Sequence, residues 1–200
     1  MQNTVHFILQ GKGGIGKTLV STILAQWIAS KDVAEGAQPL RCYDTDQENA
    51  TFSRYKAMAV KHVPVMTDSR NIDPKRFDAL MIDILEQEGN CVIDNGANTF
   101  SPLMGYLLEN DCFALLEESG RKVYIHTIVG GGDTLHDTAM GFVSTAKATR
   151  VPLVLWENEH FGLLQSAAEV RESDKFNLME KQRIKVVFRD LFEQLDKVEW

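Results

Sequence analysis

Short apolar runs alternate along this 200-residue chain with longer segments whose apolar residues recur at helical spacing. Because strands that are buried on both faces are continuous apolar runs, each short run predicts a strand of a parallel sheet. The predicted strands cover residues 5–10, 40–43, 62–66, 91–93, 122–129 and 152–156. Helices are predicted over residues 17–30, 73–88 and 133–148, with another starting at Ser101-Pro102. This alternation predicts an α/β fold, with a doubly wound, mainly parallel sheet and helices on both faces.

The end of the chain has a different pattern. Apolar residues recur there at three- and four-residue spacing and predict an amphipathic helix at about residues 180–200: Ile184, Val187, Phe188, Leu191, Leu195 and Val198. Basic and acidic residues of the polar face nearly cancel, which favours docking on the sheet over a membrane-surface or partner-binding helix. Residues 1–200 are therefore interpreted as a single domain.

Residues 11–18, with the sequence GKGGIGKT, match the pattern G-x-x-x-x-G-K-[ST] between a predicted strand and a predicted helix. That setting is the one that a phosphate-binding loop needs, because glycines let backbone N–H groups turn toward a phosphate at a helix N-terminus. Lys17 is expected to reach the β- and γ-phosphates, and Thr18 to bind Mg²⁺. The predicted nucleotide contacts in this stretch are Gly11, Lys12, Gly13, Gly14, Ile15, Gly16, Lys17, Thr18 and Leu19.

Carboxylates follow two of the predicted strands, at the edge where open α/β sheets bind ligands. Asp94 follows an apolar strand, as a Walker B aspartate does, and is predicted to hold Mg²⁺ through a water. Asp44 and Asp46 follow another strand, although both also suit turns or helix caps. Gly96, just after Asp94, could turn its N–H toward a γ-phosphate.

Two further loops lie at the same predicted edge. Asn158 follows the last predicted strand, where it could contact an adenine edge or cap its own loop. Residues 130–132 are three consecutive glycines, and their sequence assigns them no role.

The composition is that of a globular domain, with 44% hydrophobic and 24% charged residues. The net charge of −7 counts against a free-standing nucleic-acid binder, and no apolar run approaches the ~18 residues of a membrane span. The first predicted strand begins too early to leave room for a signal peptide. Cys42, Cys91 and Cys112 are predicted to be core thiols of a protein in a reducing compartment. A cytoplasmic protein is therefore expected. The histidines show no metal-ligand spacing, and C-x-x-C is absent.

A second lysine, Lys12, occupies a position of the phosphate loop that ordinary loops leave free. Together with LQGKGGIGKT, the stretches YDTDQENATF and VIDNGANTF resemble ParA/MinD-type ATPases, which are SIMIBI-like P-loop NTPases with a deviant Walker A loop. Within that class, residues 1–110 are most similar to the small ATPases of plasmid conjugal transfer, of the TraL kind.

The resemblance implies a Mg²⁺-dependent, slowly hydrolysing ATPase that acts as a switch in plasmid conjugal transfer or partition, with a protein partner. It implies a homodimer on ATP binding, in which Lys12 reaches the nucleotide of the partner subunit. The catalytic residues that it implies are Lys12, Lys17 and Asp46, with Asp46 positioning the attacking water. It places Asp44, Thr18 and Asp94 near Mg²⁺, and Asn158 at the adenine edge.

Two alternatives remain open at this stage. The first is an ATP-dependent metabolic enzyme of the dethiobiotin synthetase kind, in which Lys12 would face a small-molecule pocket. The second is a nucleotide sensor that does not hydrolyse. Direct nucleic-acid binding is also left open, because basic residues cluster near the end of an otherwise acidic chain: Lys181, Arg183, Lys185 and Arg189. Membrane association is expected only through a partner.

Overall fold

A computed structural model describes residues 3–35, 40–67, 69, 71 and 73–164. The strands are β1 (Thr4–Ile8), β2 (Arg41–Asp44), β3 (Lys61–His62), β4 (Cys91–Asp94), β5 (Lys122–Gly130) and β6 (Leu153–Asn158). The helices are α1 (Lys17–Glu35), α2 (Pro74–Glu86), α3 (Phe100–Glu109), α4 (Cys112–Glu118) and α5 (Leu135–Ala148). The six strands form one sheet in the order β3-β2-β4-β1-β5-β6, and each neighbouring pair is parallel.

Side chains of each strand alternate between the two faces of this sheet, and each face has its own apolar cluster. Ile8, Val92 and Ile128 pack with α1 on one face. Phe7 and Ile93 pack on the other face, in the cluster that contains the buried residues of α2, α3 and α4. Helix α5 covers the same face farther out, around β5 and β6. The predicted α/β class, with a parallel sheet between helices, is confirmed.

The sheet order places the predicted ligand loops side by side. β1 lies between β4 and β5, and β2 is the next strand beyond β4. In this register Ile8 lies opposite Asp94, and Asp94 lies opposite Asp44. The segments after β1, β2 and β4 therefore leave the sheet at one edge, which is where polar ends of parallel strands form ligand sites.

Two local predictions about helix and strand ends were wrong. Helix α3 begins at Phe100, one residue before the predicted Ser101-Pro102 start, and Ser101 does not cap it. Instead, the hydroxyl of the preceding Thr99 donates to the Gly96 carbonyl at 3.1 Å, which holds the loop before the helix. The third strand ends at His62 rather than at residue 66. Pro64 agrees with this early end, because proline has no N–H to donate to the neighbouring strand. The other strands and helices predicted within the described residues are present, and their ends differ by a few residues.

The predicted amphipathic helix at 180–200 lies outside the described residues, so the single-domain interpretation of the whole chain stays a prediction. Within the described ranges, no helix combines the length and apolar character that crossing a membrane requires. The cysteines Cys42, Cys91 and Cys112 are buried and unpaired, as expected for core thiols.

The three consecutive glycines at the end of β5 have a packing role that their sequence does not disclose. A Cβ on Gly131 would lie 1.7 Å from the carbonyl oxygen of Gly162, and one on Gly132 would lie 2.1 Å from that of Phe161. A Cβ on Gly130 would lie 2.5 Å from Cδ1 of Ile15, in the phosphate loop. The glycines therefore let the loops after β5 and β6 pack directly against each other beside the phosphate loop.

We expect Gly131→Ala to lower the free energy of unfolding by about 1–3 kcal/mol, because the added methyl group requires the backbone to move. Gly105→Ala is the matched control: its site in α3 has nothing within 4 Å of the new Cβ, and alanine favours a helix. Urea unfolding followed by circular dichroism measures both variants. A Gly131→Ala protein as stable as the wild type would contradict this account of the loop contact.

Candidate functional site

The phosphate loop connects β1 to α1 and has the backbone conformation that its glycines permit. Gly14 and Gly16 have φ angles of 71° and 103°, in the left-handed region where other residues are strained. At Gly11 a Cβ would lie 3.1 Å from the ring of Phe100, so the first residue of α3 packs on the loop backbone. The sequence motif therefore folds as the expected strand, loop and helix, and α3 supports it from one side.

The side chain of Lys17 lies inside this loop. It is only 8% exposed, and its ammonium group donates a 2.8 Å hydrogen bond to the carbonyl oxygen of Lys12. Burial lowers the pKa of Lys17, and the carboxylates of Asp94 and Asp46 partly oppose that shift. A buried cation held by one neutral carbonyl can form stronger, charge-assisted hydrogen bonds with an anion placed in the loop.

Asp94, at the end of β4, is tied to the first turn of α1. Its two oxygens accept hydrogen bonds from the hydroxyls of Thr18 and Ser21, both at 2.8 Å. Burial raises the pKa of Asp94 to about 6, the two hydroxyl donors lower it, and the neighbouring Asp44 raises it further. The structure thus brings two of the three predicted metal residues, Thr18 and Asp94, into direct contact. Ser21 was missed, although its spacing places it beside Thr18 on the helix.

Asp44 and Asp46 shape the loop that follows β2. Asp44 is fully buried, and its Oδ1 accepts a hydrogen bond from the backbone N–H of Asp46 at 3.0 Å. Its Oδ2 accepts from the backbone N–H and the hydroxyl of Ser53, at 2.9 and 3.0 Å. Oδ1 of Asp46 accepts from the backbone N–H groups of Glu48 and Asn49. Both aspartates therefore make turn contacts, while their roles near a metal and a water stay predictions.

The loops after β2 and β4 touch at Gly96. A Cβ on this residue would lie 2.9 Å from Cγ of Asp46 and 3.0 Å from its Cα, so only glycine allows the observed approach. The backbone N–H and hydroxyl of Thr45 both donate to the carbonyl oxygen of Asp94, at 3.0 and 3.1 Å. A change in one of these loops therefore affects the other directly.

Lys12 points away from the loop interior. Its ammonium group forms a 2.9 Å ion pair with Asp137 in the first turn of α5, and both side chains are largely exposed. Hydrogen bonding to Lys12 is the main cause of the lowered pKa of Asp137. Because exposed ion pairs contribute little to stability, this contact can separate at low cost.

Asn158 and Leu19 border the loop on other sides. The Asn158 amide nitrogen donates to the Ile15 carbonyl oxygen at 3.0 Å, and its amide oxygen accepts from the His160 N–H at 3.0 Å. Asn158 thus caps its own turn while holding the phosphate loop, and its selection of adenine stays a prediction. The side chain of Leu19 is 60% exposed at the start of α1.

Gln10 is a structural support of the loop that the sequence did not single out. It is 2% exposed, and its amide nitrogen donates to the carbonyl oxygens of Ile128 and Thr138, at 2.8 and 3.3 Å. Its amide oxygen accepts a 3.4 Å hydrogen bond from the N–H of Lys12. The sequence does contain an indication of this role, namely a glutamine at the end of an apolar strand. A buried amide there needs hydrogen-bond partners from neighbouring segments.

Three aromatic side chains form a buried chain under the site. The indole N–H of Trp156 donates to Nδ1 of His126 at 3.0 Å, so the neutral His126 carries its proton on Nε2. That nitrogen lies 2.9 Å from Nδ1 of His6. Burial lowers the pKa of His6 to about 3, so the pair stays neutral at ordinary pH. His6 and His126 are buried in the core. Within the described ranges no group of three or more histidine, cysteine, aspartate or glutamate side chains is placed to hold a metal ion.

Comparison with known proteins places this arrangement in a family. No family model matches the chain. Two Escherichia coli proteins, each named Protein TraL, are 38% identical to it over 187 residues, which cover 92% of this chain and 75% of each relative. The chain belongs to the TraL family. The family suggested by the loop sequences is therefore confirmed.

The fold of this TraL-family chain also resembles that of a solved plasmid partition protein from Borrelia burgdorferi. The TM-score is 0.54 with 16% sequence identity, over 99% of this chain and 100% of the other. This likeness shows a shared fold, in agreement with the predicted α/β class.

We expect Asp94→Asn to stabilise the nucleotide-free protein at pH 7.5 by about 1–3 kcal/mol. The raised pKa means that folded protein holds the proton more tightly than unfolded protein between pH 3.8 and about 6. The wild-type protein therefore loses stability as the pH rises through that window, whereas the asparagine side chain of the variant has no charge to desolvate. Urea unfolding at pH 7.5 and pH 5 measures the difference in free energy of unfolding between variant and wild type. This difference should be smaller at pH 5.

Asp133→Asn, which alters an exposed aspartate in the turn before α5, serves as the control and should change stability little. An Asp94→Asn protein less stable than the wild type at pH 7.5 would show that the hydrogen bonds from Thr18 and Ser21 outweigh the cost of burying the carboxylate.

Proposed function

We propose that this protein binds ATP with Mg²⁺, hydrolyses it slowly and acts as a molecular switch in plasmid conjugal transfer or partition. The observation that carries the proposal is the buried ammonium of Lys17 beside the Thr18–Asp94 pair, at the end of a glycine-rich loop. The place in conjugal transfer or partition is supported by the family resemblance. A cytoplasmic location and a protein partner in a transfer or partition complex belong to the same proposal.

The loop supplies the contacts that a triphosphate needs. Backbone N–H groups at the N-terminus of α1 favour an anion, and the ammonium of Lys17 can exchange the Lys12 carbonyl for phosphate oxygens. Phosphoryl transfer depends mainly on positioning and charge neutralisation, which this loop is built to provide.

The residues around Asp94 suit Mg²⁺, which prefers hydroxyl, carboxylate and water oxygens. Thr18 and Asp94 would hold the ion, with the buried Asp44 nearby at the end of β2. The raised pKa of Asp94 supports this fit, because a cation relieves the cost of its buried charge. When bound, Mg²⁺ supplies charge neutralisation at the phosphate oxygens.

Asp46 is proposed to position the attacking water. Its side chain rests on Gly96, whose loop follows Asp94, which supports a place for Asp46 beside the proposed metal and phosphate positions. One of its oxygens, Oδ1, is taken by loop N–H groups, which leaves Oδ2 to accept from a water.

We expect Lys17→Ala to weaken Mg-ATP binding by about tenfold or more, because a charge-assisted contact to phosphate is lost. Isothermal titration calorimetry measures the affinity. The matched control is Lys147→Ala, an exposed lysine in the last turn of α5. Wild-type affinity in Lys17→Ala would refute nucleotide binding at this loop. ATP binding by the wild type without any turnover would support a sensor instead of an ATPase.

Lys12 is proposed to leave Asp137 and reach the nucleotide of a second subunit when ATP binds. The exposed, easily separated ion pair supports this movement. An isologous twofold contact would place two such lysines on two ATP molecules, so that nucleotide charge joins the subunits until hydrolysis.

In Mg-ATP, Asp46→Ala is expected to bind nucleotide and accumulate as a dimer, because water is no longer positioned for hydrolysis. Lys12→Ala is expected to bind nucleotide and stay monomeric, because the bridging charge is gone. Light scattering measures both masses. Asp137→Asn is the control, since it removes the ion-pair partner but keeps the lysine and should still dimerise. A monomeric Asp46→Ala protein at saturating ATP would count against the switch, and a dimeric Lys12→Ala protein against the role of Lys12.

A further inference from the structure

Ser53 lies at the far end of the loop after β2. Its backbone N–H and its hydroxyl both donate to Oδ2 of Asp44, at 2.9 and 3.0 Å. The other oxygen of Asp44 accepts the N–H of Asp46 at 3.0 Å. One carboxylate therefore holds both ends of the loop over residues 46–53.

The position of this carboxylate is set by the sheet. Asp44 is the last residue of β2, pairs with β4 at Asp94, and has no exposed surface. A buried carboxylate that loses its donors is costly, and bonds to a charged acceptor are about twice as strong as neutral ones. The hydrogen bonds that Ser53 and Asp46 donate to the Asp44 carboxylate are thus expected to be stronger than bonds to neutral acceptors in this loop.

The two ends of the loop differ in how else they are held. Next to Ser53, the side chain of Phe52 is completely buried in the cluster that includes α1. At the other end, Asp46 rests on Gly96, and its carbonyl oxygen lies 3.2 Å from the ring nitrogen Nε2 of the exposed His62. Ser53 therefore connects a fixed anchor in the core, through Asp44, to the segment that carries Asp46.

The direction of the Asp46 carboxylate depends on the path of this loop. Its Oδ1 accepts from the N–H groups of Glu48 and Asn49, at 2.9 and 3.1 Å. Those N–H groups stay in place only if the loop keeps its turn, and the Asp44–Ser53 contact closes that turn.

We propose that Ser53 is a positioning residue for hydrolysis, which acts through Asp44 to keep the Asp46 carboxylate against Gly96. This inference rests on the proposed function, because it requires Asp46 to orient the attacking water. In this role Ser53 needs no contact of its own with the nucleotide or the water. Loss of its hydroxyl is therefore expected to slow turnover without weakening ATP binding.

The first test uses the nucleotide-free full chain and hydrogen exchange measured by mass spectrometry. Ser53→Ala removes the hydroxyl and keeps the backbone N–H, whereas Ser53→Thr keeps both donors. Ser30→Ala is the control, since Ser30 is an exposed residue of α1 whose hydroxyl donates only to a carbonyl one turn earlier in the same helix. In Ser53→Ala the amides of Glu48 and Asn49 are expected to exchange about three- to tenfold faster, with threonine restoring the wild-type rate.

The second test measures steady-state ATP turnover of the same proteins. Ser53→Ala is expected to lower kcat about three- to tenfold and to leave KM for ATP within about twofold, while Ser53→Thr and Ser30→Ala match the wild type. Unchanged exchange at Glu48 and Asn49, an equal increase throughout α1, or a raised KM with normal kcat would each overturn the role of Ser53.

The two tests fail separately. The exchange measurement contains no nucleotide, so an unchanged loop refutes Ser53 alone and leaves ATP binding by the phosphate loop intact. A wild-type protein that does not hydrolyse ATP refutes the proposed ATPase, and the positioning role in hydrolysis with it, whatever the exchange rates are.

Discussion

The buried carboxylate of Asp94 is the group on which the candidate site depends. Its side chain accepts the hydroxyls of Thr18 and Ser21 on α1, and its backbone carbonyl accepts two hydrogen bonds from Thr45 at the end of β2. One residue thereby connects β4 to the phosphate loop and to the loop of Asp46. Because the hydroxyls of Thr18 and Ser21 compensate a buried charge and the donors of Thr45 satisfy a buried carbonyl, the three segments hold their relative positions before any ligand arrives.

This arrangement has an energetic cost that agrees with the proposed chemistry. Burial raises the pKa of Asp94 and lowers that of Lys17, because it destabilises the charged form of each group relative to water. A triphosphate and a divalent cation would supply the missing opposite charges. Sites that bind charged ligands commonly hold such groups in place at the expense of stability, and the Asp94→Asn comparison measures that expense.

Close backbone contacts couple the loops around this centre. The contact of Gly96 with Asp46 joins the loops after β2 and β4, and the contact of Gly131 with Gly162 joins those after β5 and β6. A side chain at either glycine would separate its two loops, because the space available is smaller than a methyl group. The glycines thus allow segments far apart in sequence to lie in direct contact around the phosphate loop.

Periodicity and local motifs determined much of this protein in advance. The apolar runs predicted the strands, and the glycine and lysine pattern of residues 11–18 predicted the strand, loop and helix around Lys17, since both follow from burial and backbone freedom within a few residues. The partners of the side chains were not predictable in this way. Lys12 meets Asp137 across 125 positions of sequence, and Asp44 meets Ser53 through a turn that has no motif of its own. The first contact depends on the order of the strands and the second on the path of a whole loop, and both are decided only when the packing of the sheet fixes where these segments lie.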